Sequence, residues 1–297
     1  MPKHCAFLTM QDTRGFYIYD YLAHAPLRKL GWTVEEVPWD DPTIDWKQFE
    51  AVVIRSPWDY QKKPDVFMSV LETIARSTAR LFNPLEICRW NMNKVYLRDL
   101  VARGVATIPT IWLDRLDSAT FPQLFSELQS ERIVVKPTVG ANADDTFVLS
   151  SHEAESWEEA LRVFANKPLM VQPFVEAIVS EGEYSLFYFG GEFSHAIQKI
   201  PKQDDFRVQE EHGGVISSVV ASEELLRAGR LAIDAIGQPL LYARADFVRF
   251  RDGLALMELE LIEPSLYFSF DEQSPERFAG ALDLFFKAPV AVQRFAR

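Results

Sequence analysis

Residues 241–262 constrain this chain more than any other stretch. They read as two apolar strands around Arg251-Asp252-Gly253, yet Asp246, Glu258 and Glu260 stand inside them, within Ala-Asp-Phe-Val and Leu-Met-Glu-Leu-Glu-Leu-Ile. Successive side chains on a strand point to opposite faces, so the pairing register decides which residues meet. A three-residue turn with Gly253 in the left-handed conformation predicts Phe250 opposite Leu254, Asp246 opposite Glu258 and Arg244 opposite Glu260. All four polar groups then share one face, and Phe247, Met257, Leu259 and Leu261 form the opposite, core-facing surface. A two-residue turn would separate Asp246 from the Glu pair. Carboxylates crowded in this way repel unless protonated or bridged by a divalent ion. Oxygen donors without a nearby His or Cys select Mg²⁺ or Mn²⁺ over zinc. The plainer alternative is an Arg244–Glu260 ion pair on a solvated sheet face.

Upstream, residues 4–10, 33–39 and 50–54 read as short strands, with helix-like stretches at about 17–30 and 65–79 between them. That alternation predicts a parallel sheet with crossover helices, and ligands in such sheets bind where strands end. The segment Arg55-Ser56-Pro57-Trp58-Asp59-Tyr60 follows the third strand. Arg55 can grip a carboxylate bidentately, Asp59 can pair with an ammonium group, and with Ser56 and the two aromatics Trp58 and Tyr60 they form a set that suits an amino acid. After Asn83-Pro84 the pattern changes. A helix is expected at about 93–103, ended by Gly104, then strands at 132–136, 145–149 and 169–172 around a helix at 153–165. A hairpin over Glu183–Ile200 turns at Gly190-Gly191, and a helix at 223–236 is capped by Gly237.

A formal net charge of −12 with no Lys/Arg block argues against nucleic acid as a partner. No apolar run approaches the roughly 18 residues of a membrane span. Cys5 and Cys88 are far apart and lack metal-ligand spacing, which fits a reduced cytoplasm rather than a disulfide scaffold or a zinc site. The Gly-x-x-x-x-Gly-Lys-Ser/Thr, Gly-x-Gly-x-x-Gly, Gly-x-Ser-x-Gly and His-Glu-x-x-His motifs are all absent. An acidic protein that binds a nucleotide must gather a few cations locally, so Lys beside Gly becomes informative. Lys136 ends a β-branched strand and precedes a loop of small residues containing Gly140 and Ala141, joining a point charge to bare backbone N–H groups. In Gln172-Pro173-Phe174-Val175-Glu176, Pro173 cannot donate to a ladder, so pairing stops there. Freed backbone groups beside Phe174 and Val175 can read an adenine edge, with Glu176 available for a ribose hydroxyl.

Taken together, these segments resemble the ATP-grasp ligases over about residues 90–270. That family includes prokaryotic glutathione synthetase, D-alanine:D-alanine ligase and the cyclo-ligase that makes D-cycloserine from O-ureido-D-serine. The resemblance implies an α/β protein with the ATP-grasp fold, two α+β subdomains gripping ATP behind an N-terminal parallel-sheet α/β domain. The corresponding division is 1–90 for the substrate domain, 91–172 for the lid with its glycine loop, and 173–297 for the metal-bearing subdomain. It implies ATP contacts from Lys94, Lys136, Gly140, Ala141 and Gln172 to Glu176, and a triphosphate segment of Arg207 followed by Gly213 and Gly214. Many relatives have an acidic residue at the position of Gln172. Lys199 and Arg244 would assist Arg207 in catalysis, and Glu263 and Ser265 would join the substrate site. The metal motif usually reads Glu-x-Asn; here Glu260 replaces Asn beside Glu258, and Asp246 fills the place of the other metal carboxylate.

The implied chemistry is ATP- and Mg²⁺-dependent (or Mn²⁺-dependent) activation of an amino-acid-like carboxylate as an acyl phosphate, followed by attack of a nitrogen. The strings Lys-Pro-Thr-Val-Gly-Ala-Asn-Ala-Asp-Asp-Thr and Glu-Leu-Ile-Glu-Pro-Ser-Leu-Tyr look closer to the cycloserine-type cyclo-ligase than to glutathione synthetase. An intermolecular carboxylate–amine ligase and a non-catalytic nucleotide-binding regulatory module are the alternatives. A homo-oligomer is left open.

Overall fold

The computed structural model describes residues 3–140, 144–153, 155, 157–202, 207–208 and 210–288. Four strands, β1 (Lys3–Thr9), β2 (Trp32–Pro38), β3 (Ala51–Ser56) and β4 (Arg80–Phe82), form a parallel sheet in the order β2-β1-β3-β4. The central strand β3 is buried throughout, the expected condition of a parallel strand covered on both faces. On one face lies α2 (Pro64–Arg76), whose Phe67, Leu71 and Ile74 pack with Leu8, Val52 and Ile54. The expected helix over 17–30 is reduced to a 3₁₀ turn, Asp20–Ala23, and a short α1 (His24–Lys29). Pro26 explains the break, because its missing N–H is tolerated only in a helix's first turn.

Two helices, α3 (Leu85–Asn91) and α4 (Tyr96–Ala102), lead into a second sheet. It comprises β5 (Ile111–Leu113), β6 (Arg132–Pro137), β7 (Phe147–Ser150) and β8 (Leu169–Pro173), antiparallel in the order β5-β8-β6-β7. Its helices are α5 (Phe121–Leu128) and α6 (Trp157–Val163), which share one core with Ile133, Val135 and Val171. After a turn of helix, α7 (Ala177–Ser180), a third sheet is built from β9 (Glu183–Phe189), β10 (Glu192–Ile200), β11 (Val215–Ser218), β12 (Tyr242–Phe250) and β13 (Gly253–Glu260). Its order is β11-β10-β9-β12-β13, with α8 (Glu223–Asp234) packed on it. The last helix, α9 (Ser274–Lys287), returns to the other face of the first sheet, where Phe278 and Leu282 pack with Cys5, Phe7 and Val53. Among the described residues no helix is long and apolar enough to cross a membrane.

The β12–β13 hairpin departs from its expected turn. Phe250 pairs with Gly253, so the turn has two residues, and Arg251 rather than Gly253 takes the left-handed conformation at φ 54°. In an unbroken ladder this would carry Asp246 away from Glu258. A bulge prevents it: Phe247 pairs with Leu256 but Asp246 pairs with Glu258, leaving Met257 as the extra residue. Arg244 accordingly lies opposite Glu260. Met257, expected in the core, instead lines the cavity described below.

Polar side chains from the α3–α4 region pin this hairpin. Asn83 Nδ2 donates to Tyr242 O at 2.9 Å and Leu261 O at 2.7 Å, and Asn91 Nδ2 donates to Leu259 O at 2.7 Å. The Leu259 N–H donates to Tyr96 Oη at 2.8 Å. Buried backbone groups at the strand ends are thus satisfied without another strand.

Candidate active site

A cavity of about 250 Å³ opens where the three sheets meet. Its floor is the polar face of the third sheet, set by the alternation of Arg244 and Asp246 on β12, Glu258 and Glu260 on β13, and Glu183 and Ser185 on β9. Lys199 on β10 donates to Glu183 Oε1 at 2.7 Å and lies 3.6 Å from Asp246 Oδ1. The Arg244 guanidinium clasps Asp246, with Nε 3.1 Å and Nη2 2.9 Å from Oδ2, and its Nη2 also pairs with Glu260. Ser185 donates its hydroxyl to Asp246.

The second sheet and α4 supply the roof. Lys94 Nζ donates to Glu258 Oε1 at 2.6 Å and to Gly140 O at 3.0 Å, tying the floor to the glycine segment. Gly140 has no room for a side chain, since a Cβ there would come within 2.9 Å of Pro137 Cγ. Lys136 projects from β6 into the cavity and makes no ion pair or hydrogen bond with a described residue. Burial pushes its ammonium pKa down, partly opposed by Glu258. Gln172 donates to Thr110 Oγ1 at 2.9 Å, and Pro173, Phe174 and Val175 continue the wall.

Of the residues expected from sequence, the structure gathers Lys94, Lys136, Gly140, Gln172, Pro173, Phe174, Val175, Lys199, Arg207, Arg244, Asp246, Glu258, Glu260, Glu263, Ser265 and Trp58 around this cavity. Others lie off its lining. Arg55 is 1% exposed, and its guanidinium donates to Asp20 at 3.0 Å, Ile54 O at 3.1 Å and Pro264 O at 2.7 Å. Ser56 bonds Thr9, and Asp59 accepts from Trp39 Nε1 at 2.7 Å. Strand β8 ends at Pro173, so Glu176 falls at the start of α7, where it faces Arg132 at 3.0 Å. Gly213 and Gly214 follow a 3₁₀ turn, Glu210–His212, and Arg207, Glu210 and Glu211 occupy the cavity edge in their place. Ala141 lies outside the described residues.

Sequence reasoning missed Glu183 and Tyr267, both lining residues, and the Phe16–Tyr17 edge, whereas Tyr60, one of the two aromatics of the Arg55–Tyr60 segment, does line the cavity. Glu183 was discoverable: Glu183 and Ser185 alternate with Tyr184 and Leu186 as a strand whose polar face meets that of β12. Phe16 and Tyr17 sit in an irregular segment with no periodic signal.

Carboxylate crowding is the electrostatic signature of the floor. Burial, with Asp246, Glu258 and Glu263 nearby, pushes Glu260 up to about 8 despite Arg244, and burial raises Glu263 to about 7. Among the described residues no three His, Cys, Asp or Glu side chains are arranged to hold a metal, and Lys94 and Arg244 pair with Glu258, Asp246 and Glu260. The donor chemistry nevertheless fits a hard divalent cation: every candidate donor is oxygen, and the excess negative charge is what such an ion relieves.

These shifts predict a pH dependence of the ligand-free protein. A carboxyl whose folded pKa is raised contributes stability that is present below its unfolded pKa and lost as pH rises through the folded value. His195 works in the opposite direction: burial lowers it to about 4, so its contribution is complete above its ordinary pKa near 6.5. Between pH 6.5 and 8 Glu260 and Glu263 therefore act without His195, and stability measured by urea unfolding is expected to fall. Glu260→Gln should flatten that slope; an unchanged slope in the variant would remove Glu260 as its source.

Comparison with known proteins adds an independent line. A family model described as the N-terminal domain of D-cycloserine synthetase DcsG matches residues 5–83, and one described as the ATP-grasp domain of prokaryotic glutathione synthetase matches residues 117–240. The cycloserine biosynthesis protein DcsG of Streptomyces lavendulae is 36% identical over 273 residues, covering 86% of this chain and 89% of that relative. A crystal structure of D-cycloserine synthetase DcsG superposes with a TM-score of 0.84 at 31% identity, covering 96% of this chain and all of the other. The D-alanine–D-alanine ligase of Bacillus anthracis superposes with a TM-score of 0.67 at 12% identity, covering 96% of each chain, which is a likeness of fold alone.

Proposed function

The chain belongs to the ATP-grasp ligases, ATP-dependent enzymes that form C–N bonds, and from that premise we propose that it activates the carboxylate of a small amino-acid-like substrate as an acyl phosphate and passes it to a nitrogen within the same molecule. The observation that carries this reading is the convergence on one cavity of Lys94, Lys136, Lys199 and Arg244 with Asp246, Glu258 and Glu260. Intramolecular attack is favoured by the 36% identity to a cycloserine biosynthesis protein. The intermolecular alternative is decided by the test below.

In this proposal Gln172 to Val175 receive the purine, and Lys94, Lys136 and Arg207 neutralise the phosphates. Asp246, Glu258 and Glu260 would hold Mg²⁺ or Mn²⁺, which supplies charge stabilisation at the transferring phosphoryl group. Arg244 and Lys199 keep Asp246 ionised and fixed between β9 and β12. Glycine at 140 lets the segment after β6 close over the reacting atoms, since an acyl phosphate hydrolyses when water enters. We divide the labour as residues 1–90 for substrate, 91–172 for the lid and 173–297 for metal and transfer. The free, buried Cys5 and Cys88 suit a cytoplasmic setting.

The test is ADP release across a panel of amino-acid-like carboxylates that includes both enantiomers of O-ureidoserine, with and without an added amine. Release that needs no second amine supports cyclisation; release only with one supports the intermolecular route. EDTA is expected to stop turnover, and Mg²⁺ or Mn²⁺ to restore it while zinc does not. Restoration by zinc alone would contradict the oxygen-only ligand set.

A further inference from the structure

The turn Glu263-Pro264-Ser265 is held by three side chains on three consecutive carbonyls. Trp58 Nε1 donates to Glu263 O at 2.9 Å, Arg55 Nη2 to Pro264 O at 2.7 Å, and Arg244 Nη1 reaches Ser265 O at 3.4 Å. Two of these donors come from the end of β3 and the third from β12, so the turn is fixed from both the first and the third sheet. Its one cavity-lining carboxylate is Glu263, and Tyr60 lines the cavity beside it. Tyr60 is itself fixed, stacked on Phe67 with ring centroids 4.5 Å apart.

Glu263 differs from its neighbours on the floor. Asp246, Glu258 and Glu260 each have a cation at bonding distance, whereas Glu263 has no ion-pair partner among the described residues. A half-buried carboxylate without a cation at bonding distance is a place where a positive charge is favoured. Trp58 and Phe16, whose rings lie 5.5 Å apart, also line this end of the cavity. Aromatic faces beside a carboxylate attract a compact positive charge.

We propose that Glu263, set by the Arg55 and Trp58 clamp on its turn, receives an ammonium group of the carboxylate substrate and so selects amino acids over the same carboxylates without the amine. This rests on the ligase reading above and names the end of the cavity where the substrate's positive charge sits. Arg55 and Trp58 are positioning residues here, acting through the turn rather than on the substrate.

Calorimetric binding separates this assignment from the ligase reading, because it needs no turnover. The probes are O-ureido-D-serine, D-serine and D-alanine, each against its counterpart without the amine: 3-(ureidooxy)propionate, 3-hydroxypropionate and propionate. For at least one pair the protein should bind the amino acid about 10- to 100-fold more tightly, the range expected for a hydrogen-bonded charge pair. Glu263→Gln, which keeps the shape, should reduce that ratio to near one while ATP binding stays unchanged. Trp58→Phe should reduce it partly, an effect that a loss of global stability alone would not produce. Equal affinity for both members of every pair, no binding of any amino acid, or a ratio preserved in Glu263→Gln would each overturn the assignment. ADP release reports on the ligase reading independently: turnover with an unchanged ratio rejects the Glu263 role and keeps the enzyme.

Discussion

Lys136→Met is expected to lower ATP-dependent ligation by about 10²- to 10³-fold, the range seen when a group that stabilises developing charge is removed, without lowering the protein's thermal stability. Both halves of that expectation follow from the same facts. In the ligand-free protein Lys136 has no ion-pair partner among the described residues, and burial disfavours its charge. Removing the charge therefore relieves a desolvation cost, and the methionine keeps an apolar stem of similar length at this position of β6. In the proposed nucleotide complex the same ammonium faces phosphate beside Lys94 and Arg207. Lys94→Met should behave differently. That lysine already neutralises Glu258 at 2.6 Å and bridges to Gly140 O, so its loss should cost stability as well as activity. Steady-state kinetics and thermal unfolding on the two variants check the contrast. Wild-type rates for Lys136→Met, or a Tm depressed as far as that of Lys94→Met, would place Lys136 in a structural role.

The site was legible in the sequence where burial and strand periodicity act together. Asp246, Glu258 and Glu260 stand out because carboxylates in apolar strands need a reason, and the expected pairing of Asp246 with Glu258 and of Arg244 with Glu260 is the observed one. It is reached differently from the expectation: the turn is one residue shorter, and the bulge at Met257 restores the register. Burial of Phe247, Leu259 and Leu261 fixes which face is inside, so the hairpin tolerates a different turn only by absorbing a residue elsewhere. Turn length itself is not encoded by that pattern, and Asp-Gly fits either loop.

Arg55 illustrates the opposite case. Its residue type and its place after a strand suit a substrate-gripping role, but sequence does not reveal that Asp20 and the Pro264 carbonyl are waiting for its guanidinium. Those partners lie 35 and 209 positions away, and contacts at such separations leave no local signature. The same holds for α9, which lies outside the elements predicted from the pattern and closes a face of the first sheet.

Arg244→Met should be the most destabilising change on the cavity floor, and its cost should depend on pH. Arg244 is 8% exposed and joins Asp246, Glu260 and the Ser265 carbonyl. Its removal does not strand both carboxylates equally. Asp246 keeps Lys199 at 3.6 Å and the Ser185 hydroxyl, whereas Glu260 has no other ion-pair partner among the described residues. At pH 6 Glu260 already carries a proton, since its folded pKa is raised to about 8 with Arg244 in place, and losing Arg244 strands no charge there. At pH 9 that escape is closed, and the variant should approach the full loss of about 3–5 kcal/mol associated with orphaning one member of a buried pair. Urea unfolding at both pH values measures the difference. The double variant Arg244→Met/Glu260→Gln should recover much of the loss at pH 9 and show little pH dependence. A loss of equal size at pH 6 and pH 9 would mean that Asp246, not Glu260, bears the cost, and that Lys199 does not neutralise it at 3.6 Å.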